Sequence, residues 1–111
     1  MWVFRCALNL AKSRYTKYYE AVKNKDDILI FSGSGSMALT EKICSYLSIK
    51  PARGESLSFS EGNIFVRILE NVRGQHAYLV QSTMYSPNDK FMEMLFWIDA
   101  LRRASAASVT V

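Results

Sequence analysis

The stretch "ILIFSGSGSMALTEKI", residues 28 to 43, reads as a strand, a glycine-rich turn and a helix. "DILIF" (27 to 31) is an apolar, β-rich run that stops at Ser32-Gly33, as a buried strand does. After the turn, Met37, Leu39, Ile43 and Leu47 recur at helical spacing with Glu41 and Lys42 outward, and Ser36 stands where an N-cap belongs. Gly33 to Ala38 also satisfies G-x-G-x-x-A, so the turn is either a phosphate cradle or a tight connection. A dinucleotide site needs an acid about 20 residues on, closing the second strand. Glu55 has that distance from Gly35 but precedes "LSFS" instead of ending it. The lysine and hydroxyl of a P-loop are absent. The motif therefore reads as a strand-to-helix connection whose amides could still receive an anion.

Working outward, "PARGES" breaks the chain after the helix. Ile64, Val66 and Ile68 then alternate with Phe65, Arg67 and Leu69, the period of a strand. "ENVRGQ" (70 to 75) is a turn and "HAYLVQS" (76 to 82) a second strand, and the two strands are expected to pair as a hairpin. "YSPND" breaks again, and a long helix follows with Asn88 or Asp89 as cap. Its predicted core stripe is Phe91, Met94, Leu95, Ile98 and Leu101, widened by Met92, Phe96 and Trp97. "SVTV" (108 to 111) starts a further strand, so the whole reads as an interrupted domain. The expected fold class is α/β, a mostly parallel sheet flanked by helices.

Composition sets bounds. Among 111 residues half are apolar and 22% charged, the profile of a globular chain. No apolar run approaches the roughly 18 residues of a membrane span, so a soluble protein without a membrane partner is expected. The net charge of +4 is uneven: residues 1 to 25 hold six Lys and Arg against one acid, while the remainder is close to neutral. A neutral body argues against nucleic acid as a partner. Residues 1 to 26 form a basic leader or extension; their charge resembles a transit sequence, but they hold few hydroxyl residues. Cys6 and Cys44 lie far apart with no clustered histidines, which gives no metal or disulfide framework. His76 stands alone at the opening of a strand, and Arg102 and Arg103 offset the negative pole of the last helix.

The segments "FSGSGSMALTEKICSYLSI", "FSEGNIFVRILENVRG" and "LVQSTMYSPNDKFMEMLFWIDALRRASAASVTV" resemble the start of a ribose-phosphate pyrophosphokinase, the phosphoribosyl diphosphate synthetase family. The most specific parts are "VRG" at 72 to 74, "VQS" at 80 to 82, and the helix N-D-x-x-M-E-x-L…I-D-A-x-[KR]-R-A-S-A. The resemblance covers residues 28 to 111, and residues 27 to 111 are taken as a truncated N-terminal domain with a phosphoribosyltransferase-like fold. It implies a cytoplasmic transferase of nucleotide biosynthesis, a kinase that moves the diphosphoryl group of ATP to ribose 5-phosphate with Mg2+, releasing AMP. It also implies a homo-oligomer, with the apolar helix 88–105 as a contact. The family's adenine-contacting segment falls on Phe59, Glu61 and Asn63, with Asn63 standing where the family usually has Glu. The alternative is a hairpin loop of ordinary polar residues. Arg73 falls on a turn that serves a phosphate or nucleotide effector in regulated members. The family's mobile phosphate-closing loop, its magnesium-associated histidine and its second domain have no counterpart here, so no turnover is expected from this chain alone and no catalytic or metal residue is assigned. A non-catalytic relative that docks on full-length synthetase subunits is the alternative. A small nucleotide-binding redox domain would rest on the glycine turn alone.

Overall fold

The computed structural model describes residues 27 to 111. Strand β1 (Ile28–Ser32) leads through the glycine turn into helix α1 (Met37–Leu47). Strands β2 (Gly54–Ser58) and β3 (Ile64–Ile68) follow, then β4 (His76–Val80), helix α2 (Pro87–Arg103) and the short strand β5 (Ser108–Thr110). The architecture is α/β, as read from the sequence.

Pairing departs from that reading at one place. β4 does not return against β3. It lies parallel to β1, with Phe31 opposite Leu79, and parallel to β5, with His76 opposite Ser108. The described sheet thus has the order β1-β4-β5, and β3 forms an antiparallel hairpin with β2 instead. The physical reason lies in Val72. It is buried in the core, and the turn around it redirects the chain into the parallel sheet. The Gln75 amide reaches Val72 O and the Gly74 amide reaches Ser105 O, which fixes this redirection. The segment leading into the hairpin meets the sheet edge through a backbone bond, Ala52 N to Ile30 O at 2.8 Å.

One face of the sheet carries Phe31, Ala77 and Leu79 against Trp97 and Leu101 of α2. Trp97 and Phe31 are fully buried, with ring centroids 5.5 Å apart at 43°. Burying each such ring contributes roughly 1.5–3 kcal/mol. Gly54 makes this possible: a Cβ there would lie 2.5 Å from Trp97 Cη2 and 3.2 Å from Phe31 Cδ1.

The helices bury the predicted faces only in part. On α1 the buried side chains are Thr40 and Cys44, whereas Met37, Leu39 and Leu47 are exposed, Met37 by 63%. Thr40 fits because its hydroxyl donates to Ser36 O at 2.8 Å, leaving its methyl for packing. On α2 the buried residues are Glu93, Trp97 and Leu101; Phe91 and Leu95 face outward, with Met94 and Ile98 half-buried. Helix starts also shift. Pro87 takes the first turn of α2, where its missing N–H costs nothing, so Ser86 and not Asn88 or Asp89 is the cap position. Neither Ser36 nor Ser86 caps its helix through the side chain. No helix among the described residues is long and apolar enough to cross a membrane. Cys6 and the basic leader lie outside the described residues; Cys44 is a buried free thiol whose burial pushes its pKa up, away from the reactive thiolate.

Candidate functional site

The glycine turn sits at the carboxyl ends of β1 and β4, where open α/β sheets place ligands. Its amides are already occupied. Ser34 N donates to Glu93 Oε1 at 2.8 Å and Ser34 Oγ donates to Glu93 Oε2 at 2.5 Å. Gln81, just past β4, bridges the two partners: its Oε1 accepts from Gly35 N at 3.3 Å and its Nε2 donates to Glu93 Oε2 at 3.1 Å. Lys90 reaches the Ser34 hydroxyl and stands 3.7 Å from Glu93 Oε2. Gly33 has no room for a side chain, because a Cβ would lie 1.8 Å from Gln81 Oε1.

Glu93 is only 3% exposed. Burial alone would push its carboxyl pKa up. The hydroxyl and amide of Ser34, the Ser56 hydroxyl and the Lys90 charge outweigh that, and the net direction is down. The carboxylate is therefore ionised and held. The sequence reading missed Glu93 because an acid within "FMEMLFW" looks solvent-facing. The available signal was its i, i+4 relation to Trp97 and Leu101, which puts it on the buried stripe.

The tip of the β2–β3 hairpin is arranged in the opposite way. Phe59 N donates to Asn63 O and Gly62 N to Phe59 O, both at 2.9 Å, with Gly62 in the left-handed region at φ 83°. The backbone satisfies itself and turns side chains outward. Phe59 is 54% exposed, and Glu61 and Asn63 are exposed beside it. The structure thus brings these three predicted residues together on one five-residue turn.

Arg73 does not join them. It lies in the turn after β3, beyond the end of that strand remote from the tip, with its amide held by Asn71 Oδ1 at 3.2 Å and its side chain exposed. His76 hydrogen-bonds through Nδ1 to Ser108 Oγ at 2.7 Å, a link between β4 and β5. Two ion pairs brace the hairpin, Glu55 with Arg67 and Arg53 with Glu70. Hydrogen bonds from the Arg53 guanidinium and amide hold the Glu70 carboxyl below its usual range. Among the described residues no three His, Cys, Asp or Glu side chains lie together as metal ligands would.

With this geometry in view, comparison with known proteins is specific. Residues 28–111 match the family model described as the N-terminal domain of ribose phosphate pyrophosphokinase. A ribose-phosphate pyrophosphokinase of Agrobacterium fabrum is 43% identical over 81 residues, covering 73% of this chain and 26% of its own length. The chloroplastic ribose-phosphate pyrophosphokinase 1 of Oryza sativa is 40% identical over 89 residues, covering 80% of this chain and 22% of its own length. The crystal structure of phosphoribosylpyrophosphate synthetase from Mycobacterium smegmatis superposes with a TM-score of 0.72 at 34% identity, over 75% of this chain and 28% of that one. The chain spans about a quarter of the length of the relatives it matches.

Proposed function

The chain belongs to the ribose phosphate pyrophosphokinase family through the N-terminal domain spanned by residues 28–111, and on that footing we propose that these residues supply the nucleotide-base contact of a ribose-phosphate diphosphokinase. In this reading Phe59 stacks on the purine of ATP, while Glu61 and Asn63 meet its polar edge. The observation that carries it is the hairpin tip, whose backbone bonds close on themselves and leave an aromatic ring and two polar side chains turned to solvent. A ring stacked on a base contributes about 1–3 kcal/mol. Asn63 carries both a donor and an acceptor where a carboxylate only accepts, so it can serve an adenine edge in a different orientation.

The diphosphoryl transfer to ribose 5-phosphate is not completed by residues 28–111 alone. Such transfers rest on positioning and on neutralising phosphate charge with cations and metal. The described residues do not fit a magnesium ion, and Lys90 is engaged with Ser34 and Glu93. A cytoplasmic setting and assembly with further copies belong to the same reading.

The test is a chimera in which residues 28–111 replace the corresponding segment of the Agrobacterium relative. It should form phosphoribosyl diphosphate, and Phe59→Ala in it should raise the KM for ATP about tenfold with kcat little changed. An active chimera whose KM for ATP ignores Phe59, Glu61 and Asn63 would sink the assignment. The outward face of α2, with Phe91, Met92, Leu95 and Phe96 each exposed by 40% or more, favours a second reading in which the chain docks on intact synthetase subunits. Mixing the two and finding neither a complex nor a changed rate would remove it.

A further inference from the structure

The crevice where β1 and β4 end holds an anion supplied from within the chain. Groups from four parts of the fold converge on the Glu93 carboxylate: the amide and hydroxyl of Ser34, the side-chain amide of Gln81, the ammonium of Lys90 and the hydroxyl of Ser56. Ser34 grips both oxygens at once, amide to Oε1 and hydroxyl to Oε2, which is a match for a planar oxyanion with two coplanar acceptors. Gly33 and Gly35 let the turn come this close, since a Cβ at Gly35 would lie 2.8 Å from Ser82 O. An adjoining cavity of about 240 Å³, lined by Ser56, Ser58, Ser86, Asp89 and Lys90, opens the crevice toward solvent.

We propose that this crevice is a receptor for a small monocarboxylate whose resident ligand is the Glu93 side chain, and that Glu93 closes it to anions from solution. The inference is independent of the nucleotide reading. Three hydrogen-bond donors and an ammonium 3.7 Å away, arranged around one buried carboxylate, are a binding site by chemistry. Shortening Glu93 to alanine removes one methylene and one carboxylate, and acetate returns the same carboxylate on a methyl group. It leaves Ser34 N without an acceptor and Lys90 without the carboxylate that stood 3.7 Å from it, so the vacated space calls for an acceptor group in the place of the lost carboxylate. The groups facing that space are Lys90 and Asp89 from α2, Gln81 from the end of β4, Ser34 from the turn and Ser56 from β2. Their net charge without Glu93 is neutral, which disfavours a polyvalent anion and leaves the bidentate geometry to select a carboxylate.

The experiment is thermal melting of the full chain in acetate and in chloride at equal ionic strength. E93A should melt lower than the unsubstituted chain in chloride and gain about 4 °C in acetate. The unsubstituted chain and E93Q, in which the space stays filled, should gain nothing. Equal melting of E93A in both salts, or the same acetate gain in all three proteins, would overturn the proposal. Should E93A not fold in chloride, E93Q decides by NMR. The Ser34 amide proton should lie downfield in the unsubstituted chain, shift as Glu93 is titrated, and lie upfield and pH-independent in E93Q. An unchanged Ser34 resonance in E93Q would refute the carboxylate grip.

Discussion

The turn at residues 33 to 36 and the hairpin tip at residues 59 to 63 are both short, polar and glycine-containing, yet they stand in opposite relation to solvent. The turn carries the pattern that suggests phosphate binding, and its donors are spent on Glu93 and Gln81. The tip carries no recognised pattern in its spacing, and it presents Phe59, Glu61 and Asn63 outward. Their difference teaches that a glycine turn shows how closely two pieces of chain approach, not what approaches. Here the approaching groups are side chains of the same domain. The element whose backbone needs nothing from its surroundings is the one that turns its side chains outward.

That contrast can be broken first at Glu93. Glu93→Ala should cost about 3 kcal/mol, the scale of removing one partner of a buried charge pair, read from urea unfolding midpoints. Its pH dependence has a definite sign. Because the folded carboxyl lies below its usual range, the stabilisation by Glu93 is fully present above the ordinary carboxylate pKa and fades as pH falls through the folded value. The stability gap to Glu93→Gln should therefore be constant near neutrality and close in acid; a gap that widens in acid would contradict the hydrogen-bonded carboxylate.

Gly54 offers a smaller effect on the same side of the comparison. A methyl there meets the Trp97 ring at 2.5 Å, so Gly54→Ala should cost about 2 kcal/mol by overpacking and should quench or shift Trp97 fluorescence. The smallest effect belongs to the tip: Phe59→Ala should change stability by less than about 0.5 kcal/mol, since the ring is half exposed and lies outside the core cluster. A loss comparable with that at Glu93 would make Phe59 a structural residue and remove the contrast.

Much of the fold was legible because its signals are local. β1 ends at a glycine, α1 begins after it, and the 17-residue helix α2 is bounded by Pro87 and a double arginine. The pairing of β4 with β1 and β5 was not legible, since parallel partners are distant in sequence and leave no turn signature between them. β2 was read as a break because "GESLS" has no β-branched residue; its glycine is there to admit Trp97, a contact made 43 residues later. The helix faces misled for a related reason. Thr40, Cys44 and Glu93 are buried through hydrogen bonds and small size, while Met37 and Phe91 are left outside, and hydrophobicity alone ranks them the other way. The tip residues came from resemblance, whereas the spacing of Glu93 to Trp97 and Leu101 marked it as buried without showing its partners, which appear only once α2 is set against the turn.

Amide hydrogen exchange at Ser34 and at the tip tests this contrast most directly. If Glu93 holds the turn, the Ser34 amide should exchange as slowly as the sheet amides of β4, although it lies in no strand or helix, while Ser60 and Glu61 exchange at nearly unprotected rates. A Ser34 amide that exchanges as fast as those of the tip would contradict the account, because the turn would then be open and its glycine pattern free to bind a ligand from solution.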